Sequence, residues 1–163
     1  MSSSSKKLRR ASLLQATDRP LPSRLLVEAD LFISYLTEDH LEPHFRVAVD
    51  ASLEGAVELL SSSEVYDDII SALRSQRVPL TTIRGFLADM KTIPHRALPV
   101  TLELATSALE LYQKHGGSRK LHYFDSFHVA TAQMEKTPLL TSDRYILSHA
   151  NEMRIMAIDA RKI

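Results

Sequence analysis

Asp30, Glu64, Asp67, Asp68, Asp125 and Asp143 stand where carboxylates could act together, each at the junction of a short apolar run and a helical period or in the first turns of a helix. In a right-handed parallel βαβ unit, the carboxyl end of each strand lies beside the amino end of a helix. These positions therefore converge on one edge of a sheet. Carboxylates within a few ångströms of one another repel, and must take up protons or bind a cation. The chain has no cysteine. An oxygen-only donor set suits a hard ion, Mg²⁺ or Mn²⁺, which keeps coordination sites for phosphate oxygens and water. The implied chemistry is metal-assisted phosphodiester hydrolysis. Each acid also has an ordinary structural role open to it. Asp30 and Asp143 are good helix N-caps, Asp125 suits the first turn of a helix, and Ser61-x-x-Glu64 fits a capping box.

The elements that would position these acids can be read from the hydrophobic periods. Residues 24–30 read as a first strand and 31–36 as a helix with Ile33, Tyr35 and Leu36 inward. Residues 37–54 read as a loop and a helix, and 56–60 as a second strand. Ser61 then opens a helix with Val65, Ile69, Ala72 and Leu73 inward. A further helix follows Pro79, carrying Ile83, Phe86, Leu87 and Met90 at three and four residue spacing. Residues 97–100 read as a short strand, followed by a helix whose apolar stripe is Leu102, Ala105, Ala108, Leu109 and Tyr112 and which Gly116 and Gly117 stop. His122 to Lys136 forms another helix, Leu139 to Ser142 a buried strand running into Asp143, and Met153 to Ile158 the last strand. The alternation predicts one α/β domain with a mainly parallel sheet.

Composition narrows the function. A chain of 163 residues, 44% hydrophobic and 25% charged, can bury a core without staples. The absence of cysteine removes disulfides, thiolate zinc sites and a cysteine nucleophile. No apolar run approaches the roughly 20 residues of a membrane span, and the first residues lack the apolar core of a signal peptide, so a cytoplasmic location and no membrane partner are expected. Neither a P-loop nor a G-x-G-x-x-G turn occurs, and no G-x-S-x-G elbow. His40 and His44 are four apart, but Pro43 between them breaks the helix that would make them a zinc pair. With 6% aromatics and no tryptophan, a broad base-stacking platform is not expected. The net charge is zero but unevenly spread: residues 1–24 carry +5 and the rest −5. A basic, serine-rich N-terminal extension over 1–22, read as flexible, thus precedes a body over 23–163.

Four segments, LLVEADLFI (25–33), YDDIISALR (66–74), YFDSFHVATA (123–132) and PLLTSD (138–143), resemble in order and spacing the four acidic motifs of PIN-domain nucleases. The resemblance covers about residues 24–160. It implies a three-layer α/β/α fold with a mainly parallel central sheet of four to five strands, and a Mg²⁺- or Mn²⁺-dependent ribonuclease like the VapC-type toxins of toxin–antitoxin pairs. Asp30, Asp125 and Asp143 match the first, third and fourth acids. The second is Asp68, one methylene shorter than the usual glutamate, or its competitor Glu64, four residues earlier on the same face. Leu31 and Phe32 stand where the family often has a small polar residue, and His128 where it is usually apolar. His122 and His128 flank Asp125 three residues to each side. The partners implied are an RNA substrate, an antitoxin protein inserting a segment near the acidic cleft, and a second copy in a homodimer. A catalytically silent PIN-like module that binds RNA or protein is the alternative. An aspartyl-phosphate enzyme on Asp30 is disfavoured, since Phe32 occupies the place of its second aspartate.

Overall fold

The computed structural model describes residues 20–163. The N-terminal extension therefore lies, save its last three residues, outside the described part. Five strands form one parallel sheet in the order β3-β2-β1-β4-β5. Strand β1 spans Arg24–Val27, β2 Glu58–Ser62, β3 Arg96–Leu98, β4 Leu139–Thr141 and β5 Ala157–Asp159. The chain builds outward from β1 through β2 to β3, then returns to place β4 against the other side of β1. That reversal makes the β1/β4 boundary the topological switch point, where Leu26 pairs with Leu139 and Val27 with Leu140. In open parallel sheets the crevice at this point, beyond the carboxyl ends of the strands, is where ligands bind.

Alternation along the strands divides the core into the two faces of a three-layer fold. Leu25, Val27, Leu59 and Leu140 pack with α1 (Ala29–Thr37), α2 (Glu42–Leu53), α3 (Val65–Ser75) and α4 (Leu80–Asp89), chiefly through Phe32, Phe45, Ile69 and Ile83. Their neighbours Leu26, Leu60 and Leu139 point the other way, toward Leu121, Val129 and Ile146. Those residues introduce α6 (Tyr123–Glu135) and α7 (Arg144–His149), with α5 (Leu102–His115) packed outside α6. Right-handed crossovers require this: strands added in one direction place their helices on one face, and the return places them on the other. The buried strands read as continuous apolar runs because both faces are covered.

Several expected boundaries shift. β1 stops at Val27, and Glu28 takes the N-cap position of α1, so Asp30 lies in the first helical turn instead of ending the strand. The second strand occupies Glu58–Ser62, and its helix begins at Val65. Ser61 is therefore a buried strand residue and no capping box forms; Ser62 Oγ accepts from the Glu64 N–H at 3.3 Å. Small hydroxyl residues hid the end of this strand from its apolar pattern. β3 begins at Arg96, one residue early, and β5 shrinks to Ala157–Asp159 because residues 151–154 form a turn. The α1 face rotates, burying Leu31, Phe32 and Ser34 with Ile33, Tyr35 and Leu36 only partly covered. In α5 the inward stripe is Leu104, Ala108 and His115; Leu102 and Leu109 face solvent, at 80% and 60% exposure. Packing of α5 on Phe127 and Ala130 of α6 decided that face. Among the described residues no helix is long and apolar enough to cross a membrane.

Candidate functional site

Four aspartates from four elements meet beyond the carboxyl edge of the sheet. Asp30 sits in the first turn of α1, Asp68 in that of α3 and Asp125 in that of α6, and Asp143 is the N-cap of α7. Each occupies the positive end of a helix dipole, which suits an anion, or an anion shared with a cation. Asp143 accepts the Ile146 N–H through Oδ1 at 2.9 Å, so the cap reading of this residue holds and its carboxylate is oriented. Asp30 makes no cap, since it lies inside the helix. Oxygens of Asp68 and Asp125 lie within 4.8 Å of each other and of a His128 nitrogen, and Asp125 and Asp143 lie equally close to one another and to His122. Asp125 thus links both groups. Glu64 is half-buried at the N-cap position of α3 and joins neither group; Asp67 faces solvent.

The electrostatics show the crowding. The carboxyl of Asp30 is pushed above the ordinary aspartate range, first by desolvation and then by the charges of Asp125, Asp68 and Asp143, with His122 opposing. Its side chain reaches solvent, yet surrounding protein withdraws enough water for the desolvation to lead. One residue therefore feels all three of the other aspartates. His122 is held as a cation, its pKa raised to about 9 by the hydrogen bond to Asp125, 3.4 Å away, and by the charges of Asp125, Asp143 and Asp30.

Two further residues belong to the site. Glu28, 2% exposed, sits beneath the aspartates. Its Oε1 accepts the Ser142 N–H at 3.1 Å. Thr141 Oγ1 accepts the Asp143 N–H at 3.0 Å. Glu28 thus ties the end of β1 to the loop that presents Asp143. Burial, then the charges of Asp125 and Asp30, push its carboxyl well above the usual range. Glu28 is not among the acids that the motifs single out, although a lone charge inside the apolar run from Leu25 to Ala29 signals a buried group that must find partners. His128 is fully buried, and its Nε2 donates to Asp68 Oδ2 at 2.9 Å. It is a core histidine with one ring nitrogen against the acidic cluster. Beside Asp30, a groove of about 380 Å³ runs past Ile33, Ser34, Gln76, Ser142 and Arg161.

The donors fit a hard divalent cation: four carboxylates converge, and desolvation followed by the charges of the other three raises the carboxyl of Asp30. The class is a parallel α/β domain with an acidic cleft at its switch point. Residues 25–152 match the family model described as PIN domain, and the chain belongs to that family, whose members are generally nucleases. Solved structures agree in fold. A toxin–antitoxin complex from Klebsiella pneumoniae superposes with a TM-score of 0.57 at 14% identity, over 85% of this chain and 99% of that one. VapBC2 from Rickettsia felis, bound to a DNA fragment from its promoter, gives 0.61 at 11% identity over 83% and 97%. FitAcB from Neisseria gonorrhoeae gives 0.54 at 13% over 85% and 99%. No curated protein sequence matches this chain.

Proposed function

We propose that the protein is a divalent-metal-dependent endoribonuclease of the toxin type, hydrolysing RNA phosphodiester bonds at the acidic cleft. The observation that carries this is the meeting of Asp30, Asp68, Asp125 and Asp143, each from a separate helix start, beyond the carboxyl edge of the sheet at its switch point. In this reading Asp30, Asp68, Asp125 and Asp143 hold Mg²⁺ or Mn²⁺, with Asp68 and not Glu64 as the second acid. The ion, when bound, supplies an activated water and stabilises the leaving oxygen. Asp143, oriented by its cap bond, keeps one oxygen for the ion. His122 binds Asp125 through Nδ1, which leaves Nε2 to donate to an incoming phosphate oxygen. Its positive charge offsets the field that would repel a polyanion from an acidic cleft. The basic residues of 1–24 would add to this by holding RNA near the body through counterion release.

An antitoxin-like protein partner and pairing of two copies belong to the same proposal, and the structural likeness to toxin–antitoxin complexes supports the first. The test is incubation of a mixed RNA pool with the full chain, with and without Mn²⁺, and sequencing of the products. New ends at recurrent positions that require the ion are expected. Retention of RNA without cleavage in every divalent ion would favour the silent binding module.

A further inference from the structure

We infer that His128 is the positioning residue for Asp68, an imidazole that fixes one oxygen of that carboxylate and leaves the other for a cation. The inference rests on the metal-dependent reading above. Asp68 and Asp125 come from different helices, α3 and α6, so nothing within either helix sets the distance between their carboxylates. His128 lies one turn beyond Asp125 on α6 and reaches across to Asp68 at 2.9 Å. It thereby couples the second acid to the helix that carries the third. The ring is fully buried while Asp68 keeps 19% of its side chain exposed, so the contact anchors a partly solvated carboxylate to a rigid, dry support.

The other ring nitrogen decides between positioning and ligation. Nδ1 of His128 is buried with no hydrogen-bond partner. A carboxylate only accepts, so Nε2 carries the hydrogen, and with the hydrogen there the unpartnered Nδ1 leaves no donor stranded. Metal ligation through Nε2 would move the hydrogen to Nδ1, where a buried N–H would have no acceptor; such orphaned donors are rarer and costlier than an unpaired acceptor. His128 therefore acts through Asp68, in the way groups behind metal ligands orient them.

Two arms test this on the full chain. The first needs no ion: the imidazole ¹⁵N–¹H correlation spectrum of metal-free protein should show His128 as the Nε2–H tautomer, with a signal that moves in Asp68→Ala. An Nδ1–H tautomer overturns the inference whether or not the protein binds metal. The second measures Mn²⁺ affinity by calorimetry. His128→Leu should weaken it about 10-fold or more, the usual cost of losing such a support, and His128→Gln, whose amide nitrogen can stand where Nε2 stood, should recover most of it. Because His128 works only through Asp68, Asp68→Asn combined with His128→Leu should bind no more weakly than Asp68→Asn alone. Additive losses, or His128→Leu binding like wild type, would overturn the role. Wild-type protein that binds no Mn²⁺ while retaining the Nε2–H contact would instead sink the metal reading, and this role with it.

Discussion

Relief of carboxylate repulsion should appear as thermal stabilisation by divalent ions. Asp30, Asp68, Asp125 and Asp143 are brought together in the folded state only, so an ion that binds their cluster binds the native protein and not the unfolded chain. The stabilisation is RT ln(1 + [L]/Kd), roughly 2.7 kcal/mol when the ion is about 100-fold above its Kd. For a domain of this size each kcal/mol moves the melting temperature by about 2–4 °C, so the expected rise is about 5–11 °C. The assay is scanning fluorimetry of chelator-stripped protein at pH 7.5, titrated with MgCl2 and with MnCl2 at constant ionic strength. Asp125→Asn removes the charge that both acid groups share and that heads the charges acting on Asp30. Asp125→Asn also removes the ion-pair partner of His122, so its metal-free melting temperature is a balance of the two effects, while its response to Mn²⁺ should largely disappear. A wild-type curve unmoved by millimolar Mn²⁺ would refute the reasoning. So would an Asp125→Asn protein that still responds fully to Mn²⁺.

The competing second acids separate by substitution: Asp68→Asn should lose most of the Mn²⁺-induced shift, whereas Glu64→Gln should keep it and change stability by less than about 0.5 kcal/mol, because Glu64 makes no side-chain cap bond. The reverse pattern, read by the same melts, would move the site to Glu64. At Glu28, replacement by Ala strands the Ser142 N–H and opens a cavity, with an expected loss of about 2–4 kcal/mol in urea titrations. Glu28→Gln keeps an acceptor for the Ser142 N–H and fills the same space, so it should lose much less stability than Glu28→Ala, and an equal loss in both variants would contradict this account of Glu28. For His122, the folded pKa of about 9 exceeds the unfolded value near 6.5, so its contribution is fully present below about pH 6.5 and fades as pH rises to 9. The raised carboxyls of Asp30 and Glu28 act in the same direction, costing stability as pH climbs above about 4. His122→Ala should flatten the metal-free stability profile between pH 6.5 and 9 specifically, and an unchanged slope there would show that His122 is not held as a cation.

Where a side chain's role follows from local sequence, it was legible. The parallel architecture follows from alternating apolar runs and helical periods, and the aspartates lie near the element starts those periods mark. The α1 face, the α5 stripe and the end of β2 were not legible. Leu102 and Leu109 satisfy a helical period as well as Leu104 does, and only contact with Phe127 and Ala130 of α6 selects between them. Ser61 and Ser62 look like a helix start but are buried in β2, because both faces of a parallel sheet are covered. Glu28 and His128 depend on partners 114 and 60 residues away in the chain, which no periodicity reports.

The most direct test of the proposed chemistry is cleavage of an RNA carrying a single phosphorothioate at its scission site, followed in Mg²⁺ and in Mn²⁺. Sulfur is a poor partner for the hard Mg²⁺ and a better one for Mn²⁺. If the aspartates hold an ion against the scissile phosphate, the modified linkage should be cut slowly in Mg²⁺ and be rescued by Mn²⁺ in wild-type protein, with Asp125→Asn inactive in both. Cleavage that persists in chelator, at the same rate for oxygen and sulfur and without need of Asp125, would contradict a metal-dependent ribonuclease at this cleft.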